Sequence, residues 1–333
     1  MSHFDTQARY PGVALGKGHY ESYYLRACHP SEPLGVWIRY TIHKRPGAQP
    51  TGSLWVTLFD GAIPAPLACK VTRPFSELAE GGDDYLRIGD SHFGAQRISG
   101  EASDERCHAR WDLTLDSGEP ALRHLPNERL YKTPLPRTKL LSPHPAARFS
   151  GTFELHGRTI DLDGWPGMVG HNWGAEHAER WIWMHGVGFE GQPNSSWLDV
   201  AVGRIKLGPL TTPCIANGAL SIGGVRHALG GPARVRSTRI EETPSHCQLT
   251  LAGKGIEVSG SVGADLGAFV GWVYADPGGS EHHSVNCSVA EMKLTVKREG
   301  LAPLELRSAH GAVYELGMRE HDHGVPIQPF PDG

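Results

Sequence analysis

The amino-acid sequence predicts an all-β chain. Glycine (42) and proline (25) are spread throughout its 333 residues. The segments between them are short and rich in Val, Ile, Thr, Trp and Tyr, and long amphipathic helical patterns are scarce. Together these read as many strands joined by turns.

The strands follow in chain order. Glu21–Arg26, Gly35–His43 and Ser53–Phe59 are aromatic and β-branched, and His108–Leu115 follows them. Phe153–Leu155 and Arg158–Ile160 flank His156-Gly157, so the predicted strand Arg148–Leu155 ends in a tight hairpin. Trp181–Phe189 and Trp197–Ile205 come next. Gln248–Leu251 and Ile256–Val262 flank the turn Ala252-Gly-Lys-Gly255. Phe269–Tyr274 runs into the turn Asp276-Pro-Gly-Gly279 and a further strand, and Glu291–Val296 and Ala312–Leu316 complete the set. A dozen antiparallel strands need a large sandwich or closed barrels, and closure removes exposed edges. Two barrels of about eight strands each suit the length. A boundary near Gly164–Gly170 or just after Gly174 divides the chain into 1–174 and 175–333. The Pro-rich stretch Glu119–Pro145 reads as a long loop able to cap a pocket mouth.

With 32 basic and 36 acidic residues, charge gives no reason to expect nucleic acid or an anionic membrane as partner. The stretch Met1–Gln7 lacks the basic-then-apolar pattern of a signal peptide, and no apolar run approaches the roughly 20 residues that span a bilayer. The expectation is a cytoplasmic protein, its oligomeric state undetermined. Cys28, Cys69, Cys107, Cys214, Cys247 and Cys287 are scattered without CxxC spacing, so reduced thiols are expected and the sequon Asn194-Ser-Ser196 is incidental. There is no GxSxG elbow, phosphate-binding loop or dinucleotide fingerprint, and none of the 19 histidines forms HExxH. This points to chemistry or binding with no cofactor and no metal. His321-Asp-His323 reads as a solvated tail.

The densest chemistry lies in Gly170-His-Asn-Trp-Gly-Ala-Glu-His177 and Arg180-Trp-Ile-Trp-Met-His185. In strands, alternate residues share a face. Trp181, Trp183 and His185 therefore point one way, as do His171 and Trp173. Trp197, Asp199 and Ala201 oppose a wholly apolar face of Leu198, Val200 and Val202. A buried Asp199 without a charge partner would stay protonated near neutrality and serve as an acid. Whether it faces a barrel lumen or the junction between barrels stays open. His177, Tyr23, Arg39, Trp55, Tyr274 and His283 are further contact residues for a ligand. Purely structural roles compete with these: a tryptophan stripe also builds cores, Arg39 could pair with Glu21 or Asp60, and Tyr274 and His283 could serve a turn.

The order Glu21-Ser-Tyr-Tyr, Gly170-His-Asn-Trp-Gly174, Trp181-x-Trp183 and a Tyr-Ala-Asp-Pro turn resembles the bacterial two-domain lipocalin-like superfamily. That group includes carotenoid 1,2-hydratase (hydroxyneurosporene synthase) and the AttH-like proteins, and fungal Diels-Alderases and plant tocopherol cyclase are similar in architecture. The similarity spans most of the chain and is most specific around 164–199. It implies two lipocalin-like (calycin) barrels packed side by side, an apolar pocket near their junction, and cofactor-independent reactions of polyenes or prenyl chains. The family's His-x-Trp pair matches His171 and Trp173, and its aromatic-x-Asp pair matches Trp197 and Asp199, with Trp where Tyr is expected. The resemblance thus implies a lyase or isomerase, a hydratase or cyclase in which Asp199 protonates an alkene of an isoprenoid, Trp173 and Trp197 stabilise the cation and His171 handles water. A non-catalytic carrier of a lipophilic ligand and a pericyclic enzyme are the alternatives.

Overall fold

The computed structural model describes residues 6–79, 82, 84–208 and 210–330; most of the N-terminal stretch read above for an export signal lies outside them. The chain is all-β and forms two barrel-like antiparallel sheets. The first runs Leu67–Arg73, Thr51–Asp60, Leu34–Lys44, His19–Cys28, Arg158–Gly174, Thr138–Leu155, His108–Asp116, Arg97–Ser103, Ser91–Gly94, Asp84–Ile88 and Leu78–Ala79. The second begins at Arg180 and is closed by pairing of Leu229 with Gly253. No helix among the described residues is long and apolar enough to cross a membrane.

Strand-forming composition and turn chemistry account for most of this. His156 and Gly157 both take positive φ (50° and 77°), the geometry that keeps a two-residue hairpin in step with strand twist. The strands are longer than their most apolar cores: Thr138–Leu155 and Arg158–Gly174 pair through three register irregularities. Gly164–Gly170 is therefore strand and not turn, and the covering segment that begins at Glu119 ends at Arg137, where regular pairing resumes.

Each barrel fills its own lumen. In the first, Tyr23, Tyr40, Phe93, Trp111, Phe149 and Phe153 are sealed from solvent; in the second, Ile182, Met184, Leu198, Val200, Val202 and Val258 are. Cys69, on the edge strand Leu67–Arg73, forms a disulfide with Cys107, which ties that edge to the far side of the first sheet. This corrects the expectation of six reduced thiols. Spacing could not show it, because a separation of 38 residues becomes a Cα–Cα distance of 5.5 Å only when the sheet curls round.

Candidate functional site at the seam between the barrels

The outward face of His19–Cys28 carries Tyr20, Ser22, Tyr24 and Arg26, opposite Gly174, Asn172, Gly170 and Met168 of the neighbouring strand. Against it lies the outward face of Arg180–Gly186, with Trp181, Trp183 and His185. Two close approaches depend on glycine. A Cβ at Gly170 would sit 2.2 Å from the Tyr24 ring, and one at Gly317 would sit 2.1 Å from the Trp181 ring. The space left by the missing side chains lets Tyr24 meet Trp183 edge-on at 5.1 Å and Trp181 lie parallel to Tyr274 at 5.9 Å.

These rings line a cavity of about 810 Å³, within the range of small-molecule sites. The segment 124–137 covers it with His124, Leu130, Leu135 and Arg137, and Trp37, Arg39, Asn172, Ala201 and Glu315 complete its walls. Of the residues singled out in the sequence, Trp181, Trp183, His177, Arg39 and Tyr274 line this cavity.

The others do not. His171 and Trp173 occupy the opposite face of their strand, inside the first barrel. There His171 stacks on Tyr23 at 4.0 Å and on Trp173 at 4.4 Å, and its Nε2–H donates to Glu21 at 2.8 Å. Burial favours a neutral Glu21, but the hydrogen bond from His171 and the nearness of His19, whose Nε2 lies 3.5 Å away, outweigh it and hold the carboxyl down at about 2. Glu21 also accepts the backbone N–H groups of Arg9 and Tyr10, so this cluster anchors the N-terminal segment. Trp197 is sealed beneath Arg226, whose guanidinium carbon lies 4.9 Å from the ring centroid. Trp55 is buried behind Arg39 and Lys70. His185 is walled in: Arg26 Nη1–H donates to its Nδ1 at 3.1 Å, and its Nε2–H donates to Pro145 O at 2.8 Å. His283 faces the C-terminal segment. Its Nδ1 pairs with His323 Nε2 at 2.8 Å, and His323 is buried, so of His321-Asp-His323 only the first two residues are solvated.

Asp199 lies at the junction, with its apolar neighbours Leu198 and Val200 turned into the second barrel. It touches the cavity only through residues that line it. Trp183 Nε1 donates to Oδ1 at 3.1 Å, Ser142 Oγ donates to Oδ2 at 2.5 Å, and His124 Nε2 lies 3.4 Å from Oδ2. Burial alone would raise its pKa, but the charge and hydrogen bond of His124 dominate and lower it. The carboxyl is an anion, not the neutral acid expected. His124 responds in kind: burial depresses its pKa, the Asp199 charge outweighs that, and the net shift is upward. The geometry agrees, because both ring nitrogens face acceptors, Nδ1 the Asn217 carbonyl at 3.1 Å and Nε2 Ser142 and Asp199. His124 is a buried imidazolium.

A second pair sits elsewhere on the same cavity wall. His177 Nδ1–H donates to Asp276 Oδ1 at 2.8 Å, and its Nε2 is a buried atom with no hydrogen-bond partner among the described residues. The His177 ring is held between Tyr20 at 4.0 Å and Trp181 at 5.4 Å. Asp276 also accepts the His177 backbone N–H at 2.7 Å and Ser280 Oγ–H at 2.8 Å, with Arg319 3.8 Å away. Burial raises its pKa less than these donors lower it, to about 2. With His282 this pair forms a trio whose potential metal-ligating atoms lie within 4.8 Å of one another, although no metal site was expected. The donors already on Asp276 suit it better to orienting His177 than to coordinating a cation.

His124, Asp276, Tyr20, Tyr24, Asn172 and Glu315 were not singled out from the sequence. A histidine between Arg123 and Leu125 in a proline-rich segment was the only hint of the first, and Asp276 read as a turn residue.

The fold is that of the AttH-type, lipocalin-like two-barrel proteins. A candidate AttH from Nitrosomonas europaea superposes with a TM-score of 0.57 over 96% of each chain, at 16% sequence identity. Kievitone hydratase from Nectria haematococca aligns over 91% of this chain and 89% of its own, with a TM-score of 0.49 and 9% identity. Two uncharacterized proteins of Mycobacterium tuberculosis, from strains CDC 1551 / Oshkosh and ATCC 25618 / H37Rv, are each 24% identical over 177 residues, or 53% of this chain and 51% of theirs. The chain thus spans about half the length of the curated relatives it matches. No protein-family model matches it.

Proposed function

We propose that the chain is a cofactor-independent enzyme, a lyase or isomerase of hydratase or cyclase type, that moves a proton on a hydrophobic small molecule held in the seam cavity. One observation carries the reading: two histidines on the walls of one apolar cavity are each paired with a buried aspartate, His177 with Asp276 and His124 with Asp199. His177, oriented by Asp276, is the base, accepting a proton from substrate or from an attacking water at Nε2. His124, charged by Asp199, supplies the positive field on its side of the cavity, both of its N–H groups being held by Asn217, Ser142 and Asp199. Asp199 is then the charge partner of His124. The faces of Trp181, Trp183 and Tyr274 attract positive charge developing on an isoprenoid or polyene chain. Water admitted to the cavity gives hydration, and water excluded gives cyclisation or isomerisation.

The test is mass spectrometry of extractable products. Wild type, His177→Gln and His124→Gln are incubated in ¹⁸O-water with linear prenyl alcohols, prenyl-chain acids and polyenes. A labelled hydrate made only by wild type supports hydration, and an isomer of unchanged mass supports cyclisation. A compound retained equally by all three and never converted makes the protein a carrier.

A further inference from the structure

We propose that the cavity's ligand has an apolar body and a single anionic head, and that Arg39 binds the head. Arg39 lines the cavity, is 5% exposed, and among the described residues has no hydrogen bond or ion pair. Its guanidinium carbon lies 4.1 Å from the Tyr274 ring centroid and 5.5 Å from that of Trp55. These contacts hold the group without neutralising it. The carboxylates that the sequence offers it are committed elsewhere: Glu21 to His171 inside the first barrel and Asp60 to Arg158. Glu315 shares the cavity wall, but its two oxygens accept from Trp181 Nε1 at 2.9 Å and Asn286 Nδ2 at 3.1 Å. A guanidinium cannot shed its proton, so a buried one is costly until an anion reaches it.

The surroundings favour that anion. A planar guanidinium fork takes a carboxylate through two parallel hydrogen bonds. Leu125, Leu130, Leu135, Ala201 and Ile215 are left to receive the apolar body. The His177 ring also packs on Tyr274, at 5.9 Å, so an anchored head leaves the base beside the first carbons of the chain. This assignment rests on the cavity being the ligand site of the proposed function.

The probes are cis-parinaric acid and its methyl ester, titrated by fluorescence into wild type, Arg39→Met and Arg39→Lys. Wild type should prefer the acid by about ten- to a hundredfold, the strength of a charge-assisted hydrogen bond. Arg39→Met should lose that preference with ester affinity unchanged, and Arg39→Lys should keep part of it. Circular dichroism checks that the variants fold, and if Arg39→Met does not, the wild-type ratio and Arg39→Lys decide. Equal binding of acid and ester by wild type, or a preference that survives in Arg39→Met, overturns the assignment. Binding of neither probe by wild type overturns it together with the cavity as ligand site. Acid-selective binding with no turnover of any substrate leaves the assignment standing and overturns only the enzymatic reading.

Discussion

Asp199 Oδ2 lies 3.4 Å from His124 Nε2, both side chains sealed from solvent, in an ion pair that joins the segment covering the cavity to the wall of the second barrel. The expected stability profile follows from its signs. His124 has a raised pKa, so its contribution is complete below the ordinary histidine range and is lost as pH climbs through the raised value. Asp199 has a lowered pKa, so its contribution is complete above the ordinary carboxylate range and is lost as pH falls through the depressed value. The pair is therefore at full strength from about pH 4 to about pH 6.5. Asp199→Asn should cost about 3–5 kcal/mol in that window and remove the decline in melting temperature on the alkaline side. Identical pH profiles for wild type and variant would show that the pair is not charged.

His185 acts in the opposite sense. Burial first, and then the neighbouring Arg26, push its pKa down to about 4. A histidine kept neutral in the fold costs nothing above its unfolded pKa and loses stability as pH falls towards the folded value. Between about pH 6.5 and 4 the loss is on the order of 3 kcal/mol. His185→Gln, which still offers an amide to Arg26 and Pro145, should flatten this acid limb in urea denaturation measured at a series of pH values.

Asp276→Asn tests the base. The amide cannot fix the His177 tautomer as a carboxylate does, so turnover should drop by about 10²- to 10⁴-fold while ligand affinity changes little. Single-turnover rates beside equilibrium binding separate the two effects. Parallel loss of both would make the pair a structural support of the cavity.

Gly317→Ala places a Cβ 2.1 Å from Trp181 and should displace that ring, breaking its Nε1–H bond to Glu315. Ligand affinity should fall and tryptophan fluorescence shift, with the second barrel still folded by circular dichroism. Unchanged binding would remove Trp181 from the ligand contacts.

The Cys69–Cys107 disulfide, closing a separation of 38 residues, should contribute about 4 kcal/mol. In denaturant, which exposes the buried Cys28, Cys247 and Cys287, alkylation before reduction should label the four free cysteines, and alkylation after reduction all six. Six labels on the unreduced protein would refute the bond.

The fold was largely legible in the sequence because strand and turn signals are local. His156-Gly157 announces its own hairpin, and the alternation in Trp197–Val202 fixes which side chains share a face. The site was legible in part for the same reason. Trp181, Trp183 and His177 stand in a dense aromatic stretch and do line the cavity, but the alternation that grouped His171 with Trp173 could not say that this face turns into the first barrel.

By itself the sequence determined the all-β class, the strand faces and the aromatic stock of the site. Only the tertiary structure decided the pairings: His124 with Asp199, His177 with Asp276, and Arg39 against the Tyr274 and Trp55 rings with no ion pair among the described residues. The physical reason is that side-chain period is a property of one strand, whereas pKa and pairing depend on which groups from distant segments are packed together out of water. Asp199 looked like a lone buried acid in its own strand and became an anion because a histidine from the covering segment reaches it.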